Sequence, residues 1–268
     1  MPKIVFWSPE PVTTGQTHAS IAISSLMAIE EDYSNILIHG HWQAKKIESA
    51  FTDYEMLKKM NVFSSSGIGI TALSRLVESN KITPESIRNY AKPVLKQRLD
   101  IMYGTNVASR EQFVQLTKSL NMVIKNAVQA YDLVWVDLPK GTEKKYITDI
   151  LQEADYVICT MNQEAIFLDE AIKEYQENPY IKDKPKMILM CNYEQKSKYN
   201  IQNIRRKYAI KEPIYSVPSN YVFTDACNEG EVIDFLYKNI GADKNDYNGY
   251  FISEIRNVIK EILDKIRV

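Results

Sequence analysis

The stretch S-P-E-P-V-T-T-G-Q-T-H (Ser8 to His18) leads from an apolar run, Ile4 to Trp7, into a segment of helical period. A phosphate cradle needs backbone N–H groups turned into one concavity, glycine where the backbone must come close, a lysine for the terminal phosphates and a Ser or Thr hydroxyl for magnesium. Gly15-Gln16-Thr17 has that layout where the helix opens, but Gln16 stands in place of the lysine and Glu10 in place of the first glycine. A plainer reading is a loop in which Thr13 or Thr14 caps the helix. All 3 histidines, His18, His39 and His41, fall in this loop or in the one after the next apolar run. Imidazoles near a helix N-terminus can contact an anion as cations, hold zinc or another borderline metal, or serve as neutral polar fillers. The H-x-H spacing puts His39 and His41 on one side only if that stretch is extended.

The rest of the chain must position these groups. Its 268 residues are 45% apolar and 25% charged, which is globular composition and excludes disorder, collagen-like repeats and a disulfide-dense miniature scaffold. A formal net charge of -1 gives no global field toward nucleic acid or anionic lipid, so such contacts would need a local patch. The 3 cysteines, Cys159, Cys191 and Cys227, are odd in number and widely spaced, fitting neither a disulfide framework nor paired zinc ligands and pointing to a reducing cytoplasm. Pro9, Glu10 and Pro11 interrupt the start before a signal core could form, and no apolar run reaches the roughly eighteen residues of a spanning helix.

Short apolar runs predict strands at Ile4–Trp7, Asn35–Ile38, Arg98–Met102, Leu133–Asp137, Tyr156–Thr160, Lys186–Cys191 and Pro213–Val217. Helical period marks Thr17–Glu31, Thr71–Glu78 and Arg110–Ala130, with helical tendency through Lys45–Met60 and a helix start at Thr83-Pro84-Glu85-Ser86. The runs seldom alternate strictly, so the strands are expected to be buried on both faces. The expected fold is α/β: a single doubly wound, mostly parallel sheet flanked by helices, forming one domain over residues 1–268. In such a sheet ligands sit at the carboxyl ends of strands, which directs attention to the loops after Trp7, Ile38, Asp137, Cys191 and Val217.

Several further segments reinforce the first loop. K-I-V-F-W-S-P-E-P-V-T-T-G-Q-T, L-S-R-L-V-E-S-N-K-I-T-P-E-S-I-R-N-Y, R-L-D-I-M-Y-G-T, Y-D-L-V-W-V-D-L-P-K-G, A-D-Y-V-I-C-T-M-N-Q-E, M-C-N-Y and V-P-S-N-Y-V-F-T-D-A-C-N-E-G follow one another in this order. Together they resemble the MinD/ParA family of P-loop ATPases, and most nearly its TadZ/CpaE branch, which helps localise pilus assembly machinery. The resemblance implies a P-loop fold and a nucleotide, ATP or ADP with or without magnesium, held by Thr13, Thr14, Gly15, Gln16, Thr17 and His18, with Asn192 and Pro218 near the base. It makes Thr17 the nominal magnesium hydroxyl and Asp137 the nominal Walker B acid; Asp137 could equally cap a turn at a strand end.

The departures from the family pattern concern charge. The signature lysine falls at Pro11 and the P-loop lysine at Gln16, and the family's D-x-D after the second strand is replaced by His39 and His41. Phosphoryl transfer is almost wholly positioning and charge stabilisation, and imidazole does not suit magnesium, so a weak or inactive ATPase is expected. Lys140 is the best-placed compensating lysine. TadZ/CpaE proteins commonly carry an N-terminal receiver-like domain, whereas this chain opens on its first strand. The implied role is a positioning or assembly scaffold, a homodimer that does not need ATP, cytoplasmic and peripheral to a membrane or at a cell pole, with partners in a polar or membrane-associated assembly. Two alternatives are a DNA-binding partition ATPase and a membrane-tethered organiser. For these, the basic stripe Lys196 to Lys211 could contact DNA but reads more simply as a solvated helix face. The amphipathic C-terminal segment 251–268 could lie on a membrane but fits core packing better.

Overall fold

A computed structural model of the chain describes residues 1–9, 13–41, 46–53, 55–57, 68–105, 109–141 and 144–266. Glu10, Pro11, Lys45, Tyr54 and residues 58–60 of the stretch Lys45 to Met60, and the last two residues of the C-terminal segment lie outside the described residues. The described strands are β1 (Lys3–Trp7), β2 (Asn35–His39), β3 (Lys92–Leu95), β4 (Leu99–Met102), β5 (Leu133–Asp137), β6 (Tyr156–Met161), β7 (Lys186–Tyr193) and β8 (Ile214–Pro218). They form one 8-stranded sheet in the order β3-β4-β2-β5-β1-β6-β7-β8, parallel throughout except where β3 meets β4. This is the α/β doubly wound, mostly parallel architecture expected from the runs.

The central strands have no polar face because both faces are covered. Along β1, Val5 and Trp7 enter one apolar layer and Ile4 and Phe6 the other, as the two-residue period of a strand requires. The first layer is closed by α3 (Ile70–Glu78), α4 (Pro84–Tyr90), α5 (Arg110–Ala130), α6 (Lys145–Gln152), α7 (Ala165–Glu177) and α8 (Ile201–Tyr208) through residues such as Leu73, Ile87, Leu120, Ile147, Leu168 and Ile204. The second is closed by α1 (Gln16–Glu30), α2 (Lys46–Ala50), α9 (Tyr221–Glu229), α10 (Val232–Asn239) and α11 (Tyr247–Ile266). In α11, Phe251, Ile255, Val258, Ile259, Ile262 and Leu263 are buried against that layer, so its apolar stripe is committed to the core.

Local signals explain several boundaries. Thr83 caps α4 in a reciprocal pair with Ser86, with Pro84 at the first helical position. Of the hairpin β3–β4, the apolar reading caught only the second strand. Lys92 and Pro93 in β3 are exposed on the sheet edge, where a proline without an N–H is tolerated and no apolar run is required. Asn35 accepts a 3.0 Å hydrogen bond from the buried Trp135 indole, which satisfies the one polar atom of the largest side chain on β5.

The strand order positions the candidate loops. β1 sits between β5 and β6, while β2 lies beyond β5, so the connection leaving β1 runs toward one edge and the connection leaving β5 crosses to β6 toward the other. A crevice therefore opens at the carboxyl ends of β1, β5 and β6, where the loops after Trp7 and Asp137 meet.

Candidate functional site

A cavity of 440 Å³ occupies this crevice; Thr13, Gly15, Thr17 and His18 line it from the loop and first turn of α1. Gly15 is the N-cap residue at φ 92°, a left-handed conformation that glycine adopts without strain. A Cβ there would also stand 2.9 Å from Asn192 Nδ2, so any larger residue would have to displace the Asn192 side chain. Asn192 is itself left-handed at φ 50°, where a register shift breaks the β7–β8 ladder, and it lines the same cavity. Thr14 is buried and shares a 3.3 Å hydrogen bond with Thr160 rather than capping α1, which has no side-chain cap. Pro218 is buried at the end of β8, paired with Tyr193, and is not among the residues that line the cavity.

The decisive arrangement lies beneath the loop. Gln16 is 8% exposed; its Nε2 donates to Asp137 Oδ1 at 2.5 Å and to the Leu138 carbonyl at 2.6 Å. Its Oε1 accepts from the Thr160 hydroxyl at 2.9 Å. The amide therefore spends its hydrogen-bonding capacity inside the protein, joining β5 to β6 under the loop. Asp137 is fully buried, and its Oδ2 lies 3.2 Å from His41 Nε2, close enough for charge pairing although neither atom completes a hydrogen bond. Burial pushes the carboxyl upward, but His41 and donors on Gln16 and Thr17 outweigh it and hold Asp137 below the usual carboxylate range. The result is an ionised acid balanced by neighbours from the same chain.

The three histidines do not converge. The His39 and His41 rings stack 5.9 Å apart, so the H-x-H pair does share a side. His39 is sealed, however: its Nε2 pairs with Glu48 Oε1 at 3.0 Å, and its Cε1 packs where a Cβ of Gly104 would be. The same Glu48 oxygen accepts a 2.8 Å bond from the Gly104 N–H. Burial opposes both charges, yet the pairing prevails, raising His39 above its ordinary value, with help from Asp137, and lowering Glu48. His18 lies edge-on to Phe223, and burial, followed by the Lys46 charge, lowers its pKa and favours the neutral ring. Among the described residues no three His, Cys, Asp or Glu side chains gather as a metal would require.

Lys140 lines the cavity, and so do Ser8, Lys46 and Thr224, which the sequence reading did not single out. Lys46 lies in none of the quoted segments, and Thr160, although within A-D-Y-V-I-C-T-M-N-Q-E, is not singled out there; only the tertiary approach of α2 and β6 brings them in. The loop after β5 is tied back to β1 by the Trp7 indole donating to the Gly141 carbonyl at 2.9 Å and the Gly141 N–H donating to the Ser8 carbonyl at 2.9 Å. A glycine at φ 77° permits that turn.

These groups suit a phosphate better than a magnesium ion. An uncapped helix N-terminus, a glycine approach and two lysines on the cavity wall are chemically suited to an anion. Magnesium binds oxygen at about 2.0–2.1 Å in octahedral geometry. Here one Asp137 oxygen is held by Gln16 and the other faces an imidazole nitrogen 3.2 Å away, so as arranged the acid offers such an ion no place.

Comparison with protein-family models gave no match, and comparison with curated proteins gave none. Solved structures do match. A ParA family ATPase from Chlorobium tepidum TLS superposes with a TM-score of 0.74 at 12% identity, over 97% of this chain and 98% of that one. A putative plasmid partition protein from Borrelia burgdorferi B31 bound to AMPPNP gives 0.66 at 17%, over 99% and 100%. The septum site-determining protein MinD complexed with Mg-ADP, from Pyrococcus horikoshii OT3, gives 0.68 at 16% over 100% of both chains. At such identities the likeness is one of architecture: the chain has the fold of the ParA and MinD P-loop NTPases, along essentially its whole length.

Proposed function

We propose that this chain is a ParA/MinD-fold positioning or assembly protein that takes the phosphates of ATP or ADP on the Thr13–His18 loop but turns nucleotide over slowly or not at all. The observation that carries this reading is the engagement of Asp137 inside the protein by donors on Gln16 and Thr17, with His41 Nε2 3.2 Å from its other oxygen. An acid engaged in this way is not disposed to organise a metal, and the position that the sequence aligns with the P-loop lysine holds an amide turned into the core. Backbone N–H groups of the first turn of α1, with Lys46 and Lys140 on the wall, would hold the phosphates, and Asn192, which the resemblance puts near the base, lines the same cavity. Affinity then rests on the loop and depends little on magnesium.

Two neighbouring structures were determined with AMPPNP and with Mg-ADP, which makes a nucleotide the natural ligand to test. The finer placement, a TadZ/CpaE-type role at a pilus or other polar assembly, rests on the order of the sequence segments. So does dimerisation without ATP, which follows from Pro11 in place of the bridging lysine. We place the protein in the cytoplasm; no described helix is long and apolar enough to cross a membrane. Neither alternative gains from the geometry. Lys207 in α8 is paired with Asp169, and α11 turns its apolar stripe to the core.

Isothermal titration with ATP and ADP, each with magnesium and with EDTA, alongside phosphate release and sedimentation, tests the reading. Weak binding that changes little on chelation, negligible release and a nucleotide-independent assembly state are expected. Brisk magnesium-dependent release that Gln16→Ala abolishes would overturn it. Duplex DNA binding at low salt would favour the partition reading instead.

A further inference from the structure

A second and larger cavity, 830 Å³, lies between α5 and α6 and shares no lining residue with the first. Phe113, Val114 and Tyr146 supply apolar surface, and Arg110, Lys118, Lys144 and Lys145 supply cations. The acid that lines it, Asp149, is bonded to Lys145 at 3.1 Å, which leaves an excess of positive charge around apolar walls. Lys144 Nζ stands 5.9 Å from the Phe113 ring centroid, so a charge and an aromatic face are presented together. Val114 is 50% exposed and offers its apolar surface to the cavity. Tyr146 is pinned from behind, its hydroxyl donating to the Gly40 carbonyl at 3.2 Å, which fixes one wall.

We propose that this cavity binds an amphiphilic organic anion: an aliphatic or aromatic body against Phe113, Val114 and Tyr146, and an acidic head group among Lys118, Lys144 and Arg110. The volume falls within the roughly 300–1,000 Å³ range of small-molecule sites, and an apolar lining with a few convergent charges is their usual composition. A purely apolar ligand would leave the ammonium groups uncompensated. A small inorganic anion would leave the apolar walls wet, so neither half of the ligand suffices alone. The site is independent of the nucleotide reading, since it shares no lining residue with the first cavity.

The test is calorimetric titration of the full chain with laurate below its micellar concentration, beside dodecanol (the same tail, uncharged) and inorganic phosphate (a head group alone). Laurate binding at one site per chain is expected, with dodecanol and phosphate at least about tenfold weaker. Val114→Glu and the pair Lys118→Gln with Lys144→Gln alter exposed side chains and leave the core intact; each should weaken laurate by about tenfold or more. Absence of laurate binding, equal affinity for dodecanol, or laurate affinity unchanged in both variants would overturn the proposal. A head group carried only on a membrane is distinguished by vesicles of anionic phospholipid: binding to these without binding of free laurate would also defeat it.

Discussion

Replacing Gln16 by alanine removes one side chain and strands three partners. The amide is the donor to Asp137 Oδ1 and Leu138 O and the acceptor for Thr160, at 2.5, 2.6 and 2.9 Å. Of these partners Thr160 is compensated most easily, because its one hydroxyl hydrogen can turn to the Trp7 carbonyl, 3.3 Å away. Asp137 is not, being fully buried and charged. A hydrogen bond to a charged group is worth about 1.5–3 kcal/mol and a neutral one about 1 kcal/mol, and an orphaned buried acceptor can cost as much again. Water entering from the adjoining cavity recovers part, so the expected loss is about 2–4 kcal/mol. In a chain of this size that lowers the melting temperature by about 4–7 °C. Differential scanning fluorimetry and urea unfolding read it directly. A variant melting within about 1 °C of the parent would refute the view that Gln16 is an internal strut, since no redistribution of three buried bonds is that small. The same preparation should release phosphate no more slowly than the parent.

The His39–Glu48 pair should give stability a bounded pH window. Glu48 is depressed when folded, so its contribution is complete above its ordinary 4.5 and is lost as pH falls through the lower folded value. His39 is raised, so its contribution is complete below its ordinary 6.5 and is lost as pH rises through the higher folded value. Urea midpoints across pH should fall at both ends, and His39→Gln should remove the alkaline fall; an unchanged alkaline limb would contradict the pairing. Gly15→Ala should cost about 1–3 kcal/mol, through its positive φ and its clash with Asn192. Adding Asn192→Gly should recover the clash but not the dihedral cost, so strict additivity in a double-mutant cycle would mean that the contact is not made. Ile255→Ala, in the core-facing stripe of α11, should cost about 2–4 kcal/mol without changing cosedimentation with vesicles. Loss of vesicle binding in a still-folded variant would restore the membrane reading.

Much of the architecture was legible in the chain itself, and particular residues show why. β1 is Ile4 to Trp7 with one more residue, because a strand buried on both faces must be apolar without interruption. The start of α4 was fixed by Thr83 and Pro84, whose preferences act within a single turn. β3 escaped notice because an exposed edge strand carrying Pro93 has no pattern to read. In the site, Gly15 and Asn192 were named from their segments, but their mutual contact was not, since 176 intervening positions separate them.

Sequence alone determined that the loop after β1 lacks a lysine and that imidazoles stand after β2, because residue identity is a property of the chain. It could not determine what those residues face. That Gln16 turns inward to Asp137, that His41 meets the same carboxylate while His39 is sealed against Glu48, and that Lys46 joins Lys140 on the cavity wall were decided only when the sheet brought β1, β2, β5 and β6 side by side. The physical reason is range: propensity and periodicity act over a few residues, whereas a buried carboxylate settles its charge with whichever donors packing places within about 3 Å.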